Sequence, residues 1–205
     1  MPNFTFLFDL DSTITKCELL PEIARQIGKY DEMQRLTEAA MRGEVPFESS
    51  FSERVRMLKD VPVMAARRTA SEVPLNESIA DFICRNSERC YVATGNLDVW
   101  ICGLIEKLNM HTHCFCSEAE VLNDKVVGVN RIADKEKAAH HLPRPLVVIG
   151  DGDNDLSMAK VADIVIGFGG ARPIASRLLQ IADWVFYDDR TCADFLWKLL
   201  RSTAD

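Results

Sequence analysis

The 205-residue sequence predicts an α/β protein: a parallel sheet with helices on both faces, into which a helical cap is inserted. Two observations support this prediction. From about Leu75 onward, short apolar runs alternate with amphipathic stretches, as expected of buried parallel strands joined by helices. Before that, residues 18–68 show only the three- and four-residue spacing of apolar side chains that is typical of helices. The length fits one domain that carries one insertion.

The first strand is the apolar run FTFLF, which ends at Asp9. Three helical segments follow, LLPEIARQIG, MQRLTEAAMRG and FSERVRMLKD, with Gly28, Gly43 and Pro46 as the residues that end them. No strand is predicted in this stretch.

We therefore divide the chain into a core of residues 1–14 and 76–205 and a cap of residues 15–75. The hinges of the cap are predicted near Thr15 and Pro74, and its opening and closing would admit substrate and exclude water.

The remaining elements alternate along the chain. Helices are predicted in NESIADFICRN, LDVWICGLIEKLN, DKEKAAHHL, DLSMAKVA, ASRLLQIA and CADFLWKLL, and strands in CYVAT, THCFC, LVVIG, DIVIGF and WVFY. The segment VLNDKVVGV indicates a hairpin with its turn at Asn123 and Asp124. A Rossmann-like sheet of this kind gathers functional groups at the carboxyl ends of its strands.

Charge and composition exclude several classes of protein. The net charge of −7 disfavours nonspecific binding to nucleic acid or to an anionic membrane, so neither is an expected partner. Residues 15–75 hold ten basic and ten acidic residues, so the predicted core carries the whole excess of carboxylates. No run of about 18 apolar residues or secretory signal is present, and seven scattered cysteines do not indicate a disulfide framework, which favours the cytoplasm.

Two clusters of aspartates follow predicted strands. Asp9 and Asp11, in DLDST, come directly after the first strand, where a strand end followed by a helix-capping Ser or Thr is the simpler alternative. The second cluster, GDGDND at residues 150–155, follows LVVI. It is not an EF-hand loop, because the sixth and twelfth positions are Leu156 and Ala162.

Other phosphate and nucleotide sites are excluded by their spacing. No GxxxxGK[ST] loop is present, and Gly167 and Gly169 lack a third glycine where Arg172 stands. Two acidic clusters at neighbouring strand ends instead predict a Mg²⁺ site. Phosphoryl transfer would also need polar and cationic groups, and Thr94-Gly95-Asn96 after CYVAT, with Lys135 or Lys137, could supply them.

The ordered set DLDST, ATGN, a lysine and GDGDND resembles the haloacid dehalogenase superfamily. Within it, LTEAAMRGEVPFESSFSERVRMLKDVP resembles the cap of the phosphoserine phosphatases, and ARPIASRLLQIAD resembles their segment after the fourth motif. The resemblance covers nearly the whole chain. It implies a Mg²⁺-dependent phosphatase rather than a dehalogenase, because the dehalogenase branch lacks the second aspartate.

The resemblance also implies the role of each core residue. Asp9 would be the nucleophile and Asp11 the general acid and base. Thr94 and Lys135 would stabilise charge on the phosphoryl group. The resemblance assigns Mg²⁺ to Asp9, the backbone carbonyl of Asp11 and Asp151. It places Asp155 beside Lys135, outside the metal's own ligands, and Asn154 beside the phosphate.

The resemblance to the cap predicts the substrate site. Glu18 would bind an ammonium and Arg54 a carboxylate, with Met41 and Phe47 as an apolar wall. The alternative is that both charged residues are solvated on helix faces. The family usually has Ser-Gly-Gly where this chain has Thr94, Gly95 and Asn96, and a small residue at Asp153.

These residues together predict hydrolysis of O-phospho-L-serine, a small phosphorylated metabolite, by a monomer or homodimer. One alternative is a phosphatase or phosphotransferase that acts on another small phosphomonoester. This alternative is suggested by Asn96, which replaces the usual glycine of the family. The alternative from another class is a catalytically silent protein that binds a phosphorylated ligand. Two further motifs are predicted to be structural. One is the strand formed by residues 111–116, which contains His111 and His113, and the other is the set Trp100, Trp184 and Trp197 within the core.

Overall fold

The computed structural model describes residues 3–201, which are built around one seven-stranded sheet. Its strands are β1 (Thr5–Phe8), β2 (Cys90–Leu97), β3 (Cys114–Leu122), β4 (Lys125–Arg131), β5 (Leu146–Gly150), β6 (Ile164–Phe168) and β7 (Trp184–Phe186). Their order is β4-β3-β2-β1-β5-β6-β7. All neighbouring pairs are parallel except β3 and β4, so the predicted α/β fold class is confirmed.

Ten α-helices connect and cover the strands in the described part of the chain. They are α1 (Leu19–Ala24), α2 (Tyr30–Met41), α3 (Phe47–Met57), α4 (Val63–Glu72), α5 (Glu77–Arg85), α6 (Asp98–Lys107), α7 (Lys135–His140), α8 (Leu156–Ala159), α9 (Ser176–Ile181) and α10 (Asp189–Arg201). The first four form the insertion after β1. The fourth of them, α4, was not distinguished from the sequence.

The central strand β1 shows why the sheet is covered on both sides. All four of its residues are buried, and side chains alternate between the faces of a strand. Phe6 and Phe8 join the apolar cluster that contains Phe82 of α5, whereas Leu7 joins the cluster that contains Met158 of α8. A continuous apolar run is therefore needed at this position.

A third apolar cluster joins the inserted helices to the sheet. Leu20 of α1 and Phe51 of α3 pack in one cluster with Leu97 of β2, Trp100 of α6 and Val126 of β4. The insertion thus shares buried surface with the core and does not rest on polar contacts alone.

The two chain segments that connect insertion and core run side by side. Thr15 and Leu75 form an isolated antiparallel bridge, and the Lys16 N–H donates to the Pro74 carbonyl at 2.8 Å. The buried Asn76 amide donates to the Thr13 carbonyl at 2.8 Å. The two residues predicted as hinges, Thr15 and Pro74, therefore lie next to each other at the sheet.

The structure confirms some local predictions and corrects others. Asn123 and Asp124 form the turn between β3 and β4, with φ of 50° and 60°. Trp100 is buried, but the prediction for Trp184 was wrong. Trp184 is 50% exposed, because it begins the edge strand β7, although its ring packs on that of Phe195.

Strand β3 begins at Cys114, so the prediction that His111 and His113 lie in a strand was also wrong. Both occupy the preceding turn, where Nδ1 of His113 lies 2.7 Å from the Ser87 carbonyl oxygen. All seven cysteines are free. Within residues 3–201, none of the helices combines the length and the apolar character needed to span a bilayer.

Candidate active site

The candidate site lies at the carboxyl ends of three adjacent strands. Asp9 directly follows β1 and Asp151 directly follows β5, while Thr94 belongs to the last part of β2. Because these strands are parallel neighbours, their carboxyl ends meet at the same edge of the sheet. The sequence prediction that the two acidic clusters come together is correct.

Three buried carboxylates form the centre of the site. Oxygens of Asp9, Asp151 and Asp155 lie within 4.8 Å of one another, a grouping that could hold a metal ion. The Nζ of Lys135 lies 2.5 Å from Asp9 Oδ1 and 2.7 Å from Asp155 Oδ1. Lys137 is exposed, so Lys135 is the lysine that reaches the aspartates.

Asp155 has its oxygens occupied by protein donors. Its Oδ2 accepts hydrogen bonds from the N–H groups of Asp151 and Gly152, both at 3.0 Å, and its Oδ1 faces Lys135. Asp155 therefore fixes the loop after β5 and the position of the Lys135 ammonium.

Burial makes the charged forms of these carboxyls costly. Burial, followed by the nearby Asp155, raises the pKa of Asp9 to about 7, although Lys135 acts in the opposite direction. Burial also raises the pKa of Asp151 well above its usual range, although Arg172 opposes this. Burial alone would lower the pKa of Lys135, but Asp155 and Asp9 outweigh it and raise that pKa.

Asp11 is oriented at both carboxylate oxygens. Its Oδ1 accepts a hydrogen bond from the Leu19 N–H at 2.8 Å, and its Oδ2 accepts one from the side-chain amide of Asn96. Burial, followed by the charges of Glu18 and Asp9, raises the pKa of Asp11 well above its usual range. A carboxyl with a raised pKa is suited to donate a proton.

A narrow cleft between the insertion and the sheet contains most of the predicted site residues. Its cavity measures about 20 Å³, which leaves room for about one water molecule. The residues that line it are Asp9, Asp11, Glu18, Leu20, Met41, Phe47, Phe51, Arg54, Gly95, Asn96 and Asn154. The insertion therefore forms one wall of this narrow cleft.

Arg54 is a buried cation in the wall of this cleft. It is 1% exposed, and it donates through Nη1 to Thr37 Oγ1 at 3.2 Å and through Nε to the Ser50 carbonyl at 3.3 Å. Its buried Nη2 has no hydrogen-bond partner among residues 3–201. An unpaired buried donor is costly, so a ligand with an acceptor group would be stabilised here. The alternative of a solvated Arg54 is wrong.

Arg172 is a residue of the site that sequence reasoning missed. Its Nε lies 2.6 Å from Asp151 Oδ2, and its Nη1 lies 3.4 Å from Glu18 Oε1, which also accepts from the Ser12 hydroxyl at 2.9 Å. Arg172 thus connects a core aspartate to a glutamate of the insertion. It stands in ARPIASR, a segment noted only for its resemblance to the family, without any role for the arginine.

Met41 and Phe47, the residues predicted as an apolar wall, both belong to the insertion and line the cleft. Met41 at the end of α2 is buried, and Phe47 begins α3 and stacks on Phe51 with ring centroids 5.6 Å apart. A Cβ at Gly95 would overlap the Phe47 ring, so only glycine allows this close approach of the insertion to β2.

Thr94 and Asn154 are two further predicted residues, and both lie close to the cleft. The buried Thr94 Oγ1 accepts hydrogen bonds from Asn96 Nδ2 at 3.0 Å and from the Asn96 N–H at 3.2 Å. Asn154 lines the cleft, and its buried Oδ1 has no partner in the described chain. The unusual Asp153 pairs with Arg177, whose Nη1 lies 2.6 Å from Asp153 Oδ2, and its side chain packs against Gly43 of the insertion.

Comparisons with known proteins agree with this geometry. The sequence profile of the haloacid dehalogenase-like hydrolases matches residues 6–160. A phosphoserine phosphatase of Archaeoglobus fulgidus is 33% identical over 79% of this chain. The match covers only 51% of that relative, so this chain spans about half of the relative's length. A phosphoserine phosphatase of Methanocaldococcus jannaschii is 32% identical over 85% of this chain and 89% of the relative.

Two solved structures are similar over almost the whole chain. A phospho-aspartyl intermediate analogue of phosphoserine phosphatase superposes with a TM-score of 0.79 and 29% identity, covering 95% of this chain and 99% of that one. A substrate-bound phosphoserine phosphatase complex gives a TM-score of 0.78 and 28% identity, covering 95% and 98%. The chain therefore belongs to the haloacid dehalogenase-like hydrolases and, within them, to the phosphoserine phosphatase family of phosphoric monoester hydrolases.

Proposed function

We propose that the chain is a Mg²⁺-dependent phosphatase that hydrolyses O-phospho-L-serine through a phosphoaspartate on Asp9. The observation that carries the proposal is the cleft, in which Asp9 and Asp11 face the buried cation Arg54 and the carboxylate of Glu18. One small molecule could meet all of these groups: its phosphate would react with Asp9 and Asp11, its carboxylate would bind Arg54, and its ammonium would bind Glu18. Residues 1–14 and 76–205 would form the catalytic core, and residues 15–75 the cap.

The reaction takes two displacements at phosphorus. An oxygen of Asp9 attacks phosphorus while the ester P–O bond breaks, and Asp11 gives its proton to the departing serine oxygen. Asp11 then accepts a proton from water that attacks the phosphoaspartate, which releases phosphate and regenerates Asp9. The contacts of Asp11 with the Leu19 N–H and Asn96 hold it in place for both proton transfers.

Two further side chains stabilise the charge of the transferring group. Lys135 is fixed between Asp9 and Asp155, so its ammonium remains beside the nucleophile throughout. The Thr94 hydroxyl would donate to a phosphoryl oxygen. Asn154, with its buried Oδ1 already in the cleft, would contact the phosphate and the attacking water.

The donor set fits a magnesium ion. Buried carboxylate oxygens are the hard ligands that Mg²⁺ prefers, and the carboxylates here outnumber Lys135 and Arg172. We propose Asp9, the carbonyl of Asp11 and Asp151 as ligands. Asp155 stays outside this set because its oxygens already accept from Lys135 and two N–H groups. When bound, the ion would neutralise the charge of the nucleophile and of the phosphate.

The substrate assignment rests on the cap. The free Nη2 of Arg54 would bind the carboxylate of phosphoserine, and Glu18 would bind its ammonium. Met41 and Phe47 would exclude water from the closed site. The relatives named phosphoserine phosphatase support this substrate. The seven free cysteines fit the reducing cytoplasm, where we place the protein.

The test is replacement of the nucleophile. With Mg²⁺ and phosphoserine, the wild-type chain should release phosphate and, after rapid acid quench, carry one phosphoryl group on the peptide that contains Asp9. Asp9→Asn should lose both signals while it keeps its folded circular dichroism spectrum. Phosphate release at the wild-type rate by folded Asp9→Asn would contradict the mechanism.

A further inference from the structure

Asn96 holds a distinctive position in the cleft. It is 3% exposed, near the end of β2, and it lines the cavity together with Asp11, Glu18 and Arg54. Its side-chain Nδ2 donates to Asp11 Oδ2 and to Thr94 Oγ1. Nδ2 therefore uses both of its hydrogens within the protein.

The other end of this amide is unsatisfied. Asn96 Oδ1 is buried and has no hydrogen-bond partner anywhere in residues 3–201. Buried acceptors are normally paired, and those that are not often belong to a site that receives a ligand. A donor from the substrate would satisfy this oxygen.

The position of the amide indicates which part of the substrate supplies that donor. The general acid Asp11 must reach the ester oxygen, and Asn96 is hydrogen-bonded to Asp11 itself. Because one carbon separates Nδ2 from Oδ1, a substrate whose ester oxygen meets Asp11 would bring the atoms next to that oxygen close to Oδ1. A phosphate or carboxylate has no hydrogen to offer there, and the nearby charge of Glu18 favours a cationic donor.

We propose that Asn96 is a specificity-determining residue that accepts a hydrogen bond from an amino group on the substrate. The substrate class is the phosphate monoester of a 2-amino alcohol. The amide has two roles: Nδ2 positions the general acid, and Oδ1 selects the amine. This inference deepens the proposed function and rests on it for the identity of the general acid.

The experiment uses two pairs of substrates that differ only in the amine. Phosphoserine is compared with 3-phosphonooxypropanoate, and phosphoethanolamine with ethyl phosphate, each with Mg²⁺. The variants are Asn96→Leu, which is similar in size and lacks both polar groups, and Asn96→Asp, which keeps an acceptor but cannot donate to Asp11. Asn130→Leu is the matched control, because Asn130 is exposed on β4 outside the cleft.

The wild type should prefer the amine member of each pair in kcat/KM. Asn96→Leu should reduce this preference at least tenfold, mainly through KM of the amine substrate. Asn96→Asp should lower kcat for both members and retain the preference within about threefold, since a charge-assisted acceptor remains. Asn130→Leu should change neither quantity. If Asn96→Leu does not fold, Asn96→Ala takes its place.

Two results would overturn the inference. One is an equal loss on both members of each pair in Asn96→Leu, which would limit Asn96 to positioning Asp11. The other is a wild type without any preference for the amine. A third result would separate the inference from the proposed substrate. If phosphoserine is not hydrolysed, but the wild type prefers phosphoethanolamine over ethyl phosphate in kcat/KM and Asn96→Leu loses this preference, the inference stands and the proposed substrate is wrong.

Discussion

At the scale of single residues, the site is defined by charges that the protein buries in contact with one another. Lys135 is 7% exposed and contacts two carboxylates that are buried as deeply, Asp9 and Asp155. Removing one partner from such a group leaves buried charge without compensation, which usually costs about 3–5 kcal/mol of stability. The same lysine is proposed to act in catalysis, so stability and activity depend on one ammonium.

The first prediction compares two neighbouring lysines. Lys135→Met should lower the free energy of unfolding by about 3 kcal/mol or more without added Mg²⁺ and should abolish phosphate release. Lys137→Met, two residues away on an exposed face, should change stability by less than about 0.5 kcal/mol. Urea unfolding of both variants measures the difference. Equal stability of the two variants would contradict the assigned burial of Lys135.

Single residues also show what the sequence could and could not provide. Asp9, Asp11 and Asp151 could be placed together, because motifs at the ends of parallel strands must meet. Arg172 could not be placed, since it stands in a loop whose path depends on how β6 and α9 pack. The contact between Asn96 and Asp11 joins positions 85 residues apart, which no local pattern records.

At the scale of elements, the strands β5 and β6 are each held by an aspartate that stands just before the neighbouring strand. Asp163, just before β6, accepts from the Leu146 N–H at 2.6 Å and from Arg144 Nη1 at 3.0 Å, and so fixes the start of β5. The hydrogen bond from the Leu146 N–H lowers the pKa of Asp163 from its ordinary 3.8. Partial burial acts in the opposite direction, and Arg144 lowers this pKa further.

The second prediction follows from the sign of this shift. A carboxyl whose folded pKa is lowered contributes stability above its ordinary pKa, and the contribution is lost as the pH falls through the folded pKa. Asp163→Ala should therefore cost about 0.5–1 kcal/mol near neutral pH, a modest value because the side chain is half-exposed. The cost should shrink as the pH falls below about 4.

Urea titrations at several pH values measure this dependence. Asp194→Ala, which removes an exposed carboxylate on α10, is the control for the change in net charge. A cost of Asp163→Ala that grows toward acid pH would contradict the assignment.

Most elements were predictable, and the exceptions have physical reasons. The strands of the core are continuous apolar runs, so β1 and β5 could be read directly. Trp184 looked like a core residue because the sequence pattern cannot distinguish an edge strand from a central one. Helix α4 was not separated from its neighbours, since the prolines before and after it do not by themselves define two ends.

At the scale of the whole molecule, insertion and core share the cluster that contains Phe51, Leu97 and Trp100. Two units joined by a common apolar cluster should unfold together. The third prediction is a single cooperative urea transition.

Tryptophan fluorescence can report on both ends of the molecule. Trp100 lies at the contact between insertion and core, whereas Trp184 and Trp197 lie near α10 and β7. The variant Trp100→Phe keeps only Trp184 and Trp197 as reporters, and the double variant Trp184→Phe and Trp197→Phe keeps only Trp100. In each variant, the urea midpoint measured by fluorescence should equal the midpoint measured by far-ultraviolet circular dichroism. A Trp100 signal lost at lower urea than the circular dichroism would show that the insertion separates first.

The central claim is that this cleft hydrolyses phosphoserine, and the most direct measurement is phosphate release with Mg²⁺ across a substrate panel. The panel compares L-phosphoserine with phosphothreonine, phosphoethanolamine, phosphocholine and an aryl phosphate, with Asp9→Asn as the blank. We predict that kcat/KM for phosphoserine exceeds the others by about two orders of magnitude, which corresponds to roughly 2.7 kcal/mol of discrimination. Turnover of the aryl phosphate without turnover of phosphoserine would contradict the roles assigned to Glu18 and Arg54.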